Sequence, residues 1–369
     1  MIEKGKISSF QMAIMMHPTI LATAILLVPS ITAKHAKQDL WMSPIWAAVS
    51  GIVTAYLAYR LCQLYPQKTL IEYSEALLGR FFGKVLGFMF ILFYFYTDGI
   101  VLREYGEFVV GTFLPRTPMI VVIGAITLTC AFAVYGGIEV IARSSQIIVP
   151  VVVLLFLVII ILLLQDLDWK NMLPVFENGL GPSFKGSIVP QSWFSEYLLI
   201  SFMLPYLTDR QKGLKWAVLS VLSVMTMLVL VNFTALFLFG KLTGTLTYPV
   251  MVAVRYISLA SFLEHLESIV MAIWVSGTFI KICVFYYAIV LGSAQWLKLS
   301  DFRPIVLPSG FILMTFSLWT ADSLQELVTF LGTTFPFFAL TFQLLIPLMM
   351  LIFALFRQKF GKGKGKMKA

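Results

Sequence analysis

The sequence predicts an all-α polytopic membrane protein with about ten transmembrane helices. Hydrophobic residues make up 59% of its 369 residues and charged residues only 12%, with a mean hydropathy of +0.91. Soluble proteins carry about a quarter charged residues. Uninterrupted apolar runs such as 147–164 suit a membrane-spanning helix and exclude a β-barrel.

Ten apolar stretches, separated by polar, Pro-rich or Gly-rich connections, are the predicted spans. They run over about 10–33, 41–65, 85–113, 119–135, 139–164, 187–207, 214–239, 267–296, 305–319 and 335–356. Short amphipathic surface segments are predicted within 67–84 and over 248–259, the first ending at Gly83. We therefore expect a transmembrane bundle over 1–356, followed by a basic, disordered cytoplasmic tail over 357–369.

The first span is an irregular helix by sequence. Pro18, next to His17, removes a backbone donor, and the small residues Ala22, Thr23 and Ala24 follow. A break at membrane depth is tolerated only where it lines a cavity or binds something, and in secondary transporters such breaks mark the substrate site. The alternative is a proline-kinked span without a ligand.

The sixth span is the second irregular one, with Pro190, Ser192, Ser195, Glu196 and Pro205. Spans one and six lead the two five-helix halves of the chain. This is the pattern of a 5+5 inverted repeat with interrupted helices 1 and 6 and binding at the midplane.

Charge asymmetry gives the orientation. With both termini on the cytoplasmic side, inner segments hold 18 of the 27 Lys and Arg residues and outer segments hold 7, while Arg103 and Lys281 are embedded. This distribution obeys the positive-inside rule, so the net charge of +9 does not indicate nucleic-acid binding.

Motifs along nearly the whole chain resemble the B subunit of spore germinant receptors, within the amino acid–polyamine–organocation transporter superfamily. They are, in order, ILATAILLVP, LIEYSEALLGRFFGKVLG, REYGEFV, RTPMIVV, GGIEVIAR, NMLPVFENGLGPSFKGS and LEHLESIVMAIWV. The resemblance implies a leucine-transporter-like fold in the spore inner membrane and a pocket for an amino acid or similar small nutrient. It also implies partner A and C subunits. In one departure, Ala22 and Ala24 stand where the family has Gly-x-Gly, and alanine allows less backbone freedom.

Candidate ligand-binding residues follow from the two irregular spans, whose half-helix ends would suit a carboxylate. They are Ala22, Thr23 and Ala24 in span one, and Ser192, Trp193, Phe194 and Ser195 in span six. The alternative for span six is a serine-lined helix contact. Phe93, Tyr94 and Thr97 on one face of span three, with Phe285 in span eight, would enclose a ligand side chain, unless they are plain packing.

Ionisable residues at membrane depth form the second candidate group. Asp98 and Lys281 fall near the midplane, so we expect them to pair, or Lys281 to meet a ligand carboxylate; a purely structural pair is the alternative. Arg103 and Glu107, four residues apart with Glu104 adjacent, predict an intrahelical pair or a polar pathway. Glu196 has no obvious partner and would relay a proton or satisfy amides of the broken helix.

The sequence shows no nucleophile–base constellation, metal-ligand cluster or phosphate loop, so we expect neither an enzyme nor a cofactor. Two functions remain: a nutrient-sensing receptor subunit, and a proton-coupled amino acid transporter with the same pocket. A passive scaffold with a vestigial pocket is a third. The expected partners are a small-molecule germinant, the A and C subunits and membrane lipid.

Overall fold

The computed structural model describes residues 2–255, 257 and 267–366, with side chains as far as 359. His265 and the start of the LEHLESIVMAIWV motif lie outside the described residues. In the described part the chain is helical, in the following order. The α-helices are α1 Ser9–Ala36, α2 Ser43–Leu64, α3 Leu70–Leu78, α4 Arg80–Thr112, α5 Met119–Tyr135, α6 Ile138–Leu163, α7 Gly181–Ser195, α8 Gly213–Phe239, α9 Pro249–Arg255, α10 Glu267–Leu297, α11 Val306–Trp319, α12 Leu324–Thr333, α13 Phe335–Leu340 and α14 Ile346–Lys366.

Each predicted span coincides with a helix or a helical segment of this structure. Span six is α7 together with the 3-10 segment Glu196–Phe202, and span ten is α13, the π-helix Thr341–Leu345 and α14. By length and apolar character alone, six helical segments of the described chain could cross a membrane, or seven if the bent pair Arg303–Trp319 and Leu324–Thr333 is one span. The fold is therefore a polytopic helical bundle, as predicted.

The two five-helix halves pack against each other through corresponding members. Helix α1 contacts α7, α2 contacts α8, α4 contacts α10 and α5 contacts α11. These are spans one and six, two and seven, three and eight, and four and nine. The pairing of equivalent helices is the arrangement expected of a 5+5 repeat.

The loop contacts separate into two sets that match the predicted membrane sides. At the predicted inner end, Ile7 forms a parallel bridge with Leu207, and Arg357 donates to the carbonyl oxygen of Leu77. At the predicted outer end, Gln38 Nε2 donates to Glu177 at 2.9 Å. Loops assigned to one side thus contact loops assigned to the same side.

Asp209 caps the inner end of α1. The Ser9 amide and hydroxyl donate to its carboxylate at 2.7 and 2.9 Å. Burial alone would raise the pKa of Asp209, but these hydrogen bonds outweigh it and the pKa lies below its usual value. The cap fixes α1 to the loop that follows span six.

The prediction of a break in span one is wrong. Helix α1 is continuous and runs through both Pro18 and Pro29. The Thr19 hydroxyl donates to the Met15 carbonyl oxygen at 2.8 Å, inside the turn that the first proline disturbs. Alanine is the strongest helix former and glycine among the weakest, so Ala22 and Ala24 favour the continuous helix where the family has glycines.

The predicted break in span six is present. Helix α7 ends at Ser195, and the chain continues as a seven-residue 3-10 segment, Glu196–Phe202, which is buried throughout. A second irregularity lies in span ten, where Thr341–Leu345 forms a π-helix. Runs of 3-10 helix this long are uncommon, and π-turns occur often at functional sites.

Two of the boundaries that differ from the sequence predictions have a local physical cause. The surface helix α3 ends at Leu78 rather than Gly83, because Gly79 adopts φ +83° and a new helix starts at Arg80. The predicted disordered tail is helical as far as Lys366. A helix already nucleated in span ten needs no new nucleus to continue.

Gly83 allows α3 and α4 to approach closely, and this gives a stability prediction. A Cβ at this position would lie 2.3 Å from the Glu75 Cα atom. We expect Gly83→Ala to lower the free energy of unfolding by about 1–3 kcal/mol, since backbone atoms must move. The thermal midpoint of the purified protein in detergent measures this. Gly111→Ala is the matched control, since a Cβ at that position in α4 meets nothing within 4 Å; equal midpoints for the two variants would contradict the prediction.

Candidate ligand site at the break of span six

The irregular part of span six lies among the helices expected to form a ligand site. Helix α7 packs against α1, the 3-10 segment contacts α10 and α1, and α10 packs against both α1 and α4. Spans one, three, six and eight therefore surround one region deep in the bundle. The polar groups of this region come from all four spans.

Lys281 in α10 pairs with Glu196, the first residue of the 3-10 segment. Lys281 Nζ donates to the two carboxylate oxygens of Glu196 at 2.7 and 3.0 Å, and the side chains are 0% and 2% exposed. A buried pair of this kind holds only with good geometry and satisfied oxygens. Glu196, for which the sequence offered no partner, is thus the partner of Lys281.

The predicted Asp98–Lys281 pair is wrong. Neither carboxylate oxygen of Asp98 has a hydrogen-bond partner among the described residues, although the side chain is fully buried. The Lys281 ammonium group makes its hydrogen bonds to Glu196 instead, although its charge still acts on Asp98. Asp98 therefore has the expected depth but no hydrogen bond to Lys281.

Glu104 in α4 is the third buried carboxyl group of this region. Its Oε1 atom has no partner among the described residues, and its side chain is 5% exposed. The charges of Lys281 and Glu196 act on both Glu104 and Asp98. We call Lys281, Glu196, Asp98 and Glu104 the charged layer; it holds one ammonium group and three carboxyl groups.

Arg103 and Glu107 form the predicted intrahelical pair. The Arg103 guanidinium donates to Glu107 Oε1 at 2.7 and 2.9 Å, with side-chain exposures of 8% and 16%. Both partners are satisfied by each other within α4. The pair therefore accounts for the one other cation that the sequence places in the membrane.

Aromatic side chains line one side of the charged layer. Tyr94 lies edge-on to Phe285 with ring centroids 5.9 Å apart, and Lys281 Nζ lies 5.5 Å from the centroid of that same ring. Phe93 stacks on Phe342 of the π-helix at 4.8 Å. The predicted aromatic face is thus real, and it joins span three to spans eight and ten.

Several polar atoms around the break are buried without a hydrogen-bond partner in the described chain. They are the hydroxyl oxygens of Thr23, Tyr94 and Thr278 and the Nε2 atom of Gln343. Buried polar groups are nearly always paired, so each such atom needs an explanation. Their concentration on spans one, three, eight and ten around the break is consistent with a site for a polar ligand.

Other residues predicted for the ligand site form hydrogen bonds within their own helix or lie toward a neighbouring helix. The Ser192 hydroxyl donates to the Val189 carbonyl oxygen at 2.6 Å, and Thr97 donates to that of Phe93 at 2.9 Å. Phe194 lies toward Gly51 of α2, where an added Cβ would be 3.0 Å from its ring. Phe194 is therefore directed toward α2, whereas Ser192 and Trp193 are buried on α7.

Ser195 connects the break to span ten. Its hydroxyl lies 3.4 Å from Gln343 Oε1 and also donates to the Ser192 carbonyl oxygen at 2.7 Å. Gln343 was missed by sequence reasoning, although a lone glutamine in the apolar stretch 335–356 was a usable signal. Thr278, which lies one turn from Lys281 on α10, was also missed.

An apolar cavity lies between spans one, five and eight. It is lined by Ala22 and Gly277 at the α1–α10 contact, by Trp274, and by His17. A Cβ on Gly277 would lie 3.4 Å from the Ala22 Cβ, so the two helices touch at this point. Of the predicted span-one residues, Ala22 alone is among the cavity lining, while Thr23 and Ala24 are fully buried.

In the described part of the chain, no group of three or more His, Cys, Asp or Glu side chains could hold a metal ion. Cys62, Cys130 and Cys283 are free and buried. The site therefore offers hydrogen bonds, one cation and several carboxyl groups for binding a small polar molecule.

The structure resembles secondary transporters. A Na+-coupled sialic acid symporter in a substrate-bound outward-open state superposes with a TM-score of 0.65 at 12% identity, covering 92% of this chain and 79% of its own. Mhp1, a nucleobase-cation-symport-1 family transporter in a closed conformation with bromovinylhydantoin bound, gives 0.62 at 13% identity, with 94% and 78% covered. The chain has a leucine-transporter-like fold.

The sequence comparison then identifies the family. A family model described as spore germination protein, the spore permease family, matches residues 6–326, and the chain belongs to this family. Spore germination protein KB of Bacillus subtilis (strain 168) is 26% identical over 366 residues, which is 97% of each chain. The family and the similar structures are of permease and transporter type, and the chain is a multi-pass membrane protein.

Proposed function

We propose that this protein is the nutrient-sensing subunit of a spore germination receptor. It binds an amino acid or similar small nutrient at the break of span six and thereby triggers germination. The observation that carries the proposal is the Lys281–Glu196 pair at that break, inside a transporter fold and accompanied by buried polar groups that have no hydrogen-bond partner among the described residues. The family membership supplies the germination context.

The proposed ligand contacts follow from the geometry. Lys281 is suited to a carboxylate, and the hydroxyls of Thr23, Tyr94 and Thr278 are suited to further hydrogen bonds. Phe93 and Phe285 enclose the aromatic side of the site. A ligand there shifts the protein between conformations only to the extent that it binds one of them more tightly.

The proposal also assigns the protein to the spore inner membrane with both termini cytoplasmic, together with receptor A and C subunits. The two sets of loop contacts support this orientation, since the lysine-rich segments lie at one end. The positive-inside rule makes that end cytoplasmic.

Ligand binding is tested by thermal unfolding of the purified full-length chain against amino acids, sugars and nucleosides. We expect at least one small nutrient to raise the unfolding midpoint in a concentration-dependent way, because a ligand that binds only the folded state stabilises it by mass action. Even weak binding is visible at high ligand excess. If no compound shifts the midpoint at a large excess, the protein is not the nutrient-binding subunit.

A proton-coupled amino acid transporter is the second candidate, favoured by the buried Asp98 and Glu104 carboxyl groups. Such intramembrane carboxyl groups often belong to proton pathways. Uptake of the labelled ligand into proteoliposomes separates the two functions. Concentrative uptake driven by a pH gradient would establish transport, whereas binding without uptake is the result expected of a receptor.

A further inference from the structure

We propose that Glu196 is a built-in competitor for the germinant: its carboxylate occupies Lys281 in the resting protein, and a carboxylate-bearing ligand binds by displacing it. This inference rests on the proposed function. It names the ligand group that Lys281 recognises and the residue that has to leave.

The first support is the geometry of the pair. Both oxygens of Glu196 lie within 3.0 Å of Lys281 Nζ, and both side chains are almost completely buried. An ammonium group has three N–H donors, and two of them go to Glu196, so one is left for any other acceptor. A ligand carboxylate can therefore take two hydrogen bonds from Lys281 only if Glu196 gives up at least one.

The second support is the position of Glu196 in its helix. Glu196 is the residue immediately after α7 ends at Ser195. The C-terminal end of a helix carries a partial negative charge, which disfavours a carboxylate there. The Lys281 ammonium group offsets this repulsion in the resting state. A ligand carboxylate on another side of Lys281 would avoid the repulsion, which favours the exchange of one carboxylate for the other.

The third support is the irregular backbone that follows Glu196. The 3-10 segment Glu196–Phe202 is unusually long for its type, and its neighbour across the Ser195–Gln343 contact is the π-helix Thr341–Leu345. A stretch of 3-10 helix inside a longer helix often marks a functional hinge, and π-turns occur often at functional sites. Release of Glu196 therefore acts directly on the first residue of a segment of this type.

The other carboxyl groups of the charged layer do not take this role. Asp98 and Glu104 have no hydrogen bond to Lys281. Neither begins an irregular segment, because both lie within the continuous helix α4. Displacement of Glu196 is therefore the one exchange in the layer that couples ligand binding to a helix break.

The experiment measures affinity from ligand-dependent thermal midpoints of the full-length chain. The probes are L-alanine, L-valine, L-leucine and L-asparagine, each compared with its primary amide. The variants are Glu196→Gln and, as control, Glu107→Gln, which alters the partly buried Arg103–Glu107 pair within α4. Glu196→Asp keeps the charge on a shorter side chain and serves if the glutamine variant does not accumulate.

We expect Glu196→Gln to bind at least one free amino acid tenfold or more tightly than the wild type does, with no such gain for the amides. Glu196→Asp should gain less, and Glu107→Gln should gain nothing. Equal or weaker binding of the acids by both Glu196 variants would overturn it.

Failure of the inference is distinguishable from failure of the proposed function. If the wild type binds nutrients but the Glu196 variants show no preference for carboxylates, or if only sugars or nucleosides bind, the exchange is wrong and nutrient sensing stands. If neither the wild type nor the variants bind any compound of the nutrient screen, both are wrong.

Discussion

Lys281→Met is expected to lower the free energy of unfolding by about 3–5 kcal/mol, because it leaves the Glu196 carboxylate buried without its cation. Glu196 is 2% exposed and accepts two hydrogen bonds from Lys281, one on each carboxylate oxygen. Methionine has nearly the length of lysine, so the loss reflects charge rather than packing. The unfolding midpoint of the purified chain in detergent measures the effect.

A double variant separates the charge effect from a general intolerance of the position. Lys281→Met combined with Glu196→Leu removes both charges, and an apolar replacement of a buried pair is often neutral or stabilising. We expect the double variant to recover most of the lost stability and to remain unable to bind a carboxylate ligand. A double variant as unstable as Lys281→Met would show that the pair is not the source of the loss.

Lys298→Met is the matched surface control. Lys298 pairs with Glu75 at 3.5 Å, with side-chain exposures of 58% and 32%. Exposed pairs contribute roughly 0–1 kcal/mol, since water and salt screen the charges. Comparing the stability losses of Lys281→Met and Lys298→Met therefore tests how much the burial of an ion pair contributes.

The spans were predictable because each depends on a local property of the sequence. About twenty apolar residues are needed to cross the hydrocarbon core, and the chain marks the ends with Pro, Gly and charge. For α5 the predicted and observed bounds, 119–135, are identical. The end of the surface helix α3 was not predictable in this way, because it depends on the positive φ of Gly79 and on the close packing at Gly83.

The charge pairing was not predictable, because depth in the membrane does not specify the direction of a side chain around its helix. Asp98 and Lys281 were assigned correctly to the buried interior, yet Lys281 pairs with Glu196, and neither carboxylate oxygen of Asp98 has a hydrogen-bond partner among the described residues. Only the packed bundle decides which faces meet.

The prolines of span one show a related limit. Pro18 suggested a break, yet α1 is continuous through both Pro18 and Pro29, and the break in span six falls at Ser195 rather than at Pro190. A proline removes one hydrogen bond, and surrounding helices can compensate for that loss. In span one the alanines at 22 and 24 add intrinsic helix propensity, which the family's glycines would not.

Glu3→Ala is expected to produce the second large effect, a loss of roughly 2–3 kcal/mol, since a buried carboxylate that accepts several hydrogen bonds is removed. Glu3 is 6% exposed and accepts from the Gly5 amide at 2.6 Å, and from the Ile138 amide and the Tyr287 hydroxyl at 3.3 Å. Ile138 begins α6, so the carboxylate also lies at the favourable positive end of that helix.

We expect the loss of Glu3 to affect the ligand site as well, because the N-terminal segment contacts the inner ends of spans six and eight, which carry the Lys281–Glu196 pair. Tyr287 belongs to α10, as does Lys281, and the backbone of Ile7 forms hydrogen bonds with Tyr206 and Thr208 at the end of span six.

We expect a cysteine placed at Ile7, which is 1% exposed, to become reactive to maleimide in Glu3→Ala and to stay protected otherwise. Glu139→Ala is the control, since Glu139 accepts from the Lys6 amide at 2.9 Å but is exposed. Equal protection of the cysteine in both variants would mean that Glu3 does not hold the inner end closed, and that spans six and eight are fixed there by apolar packing alone.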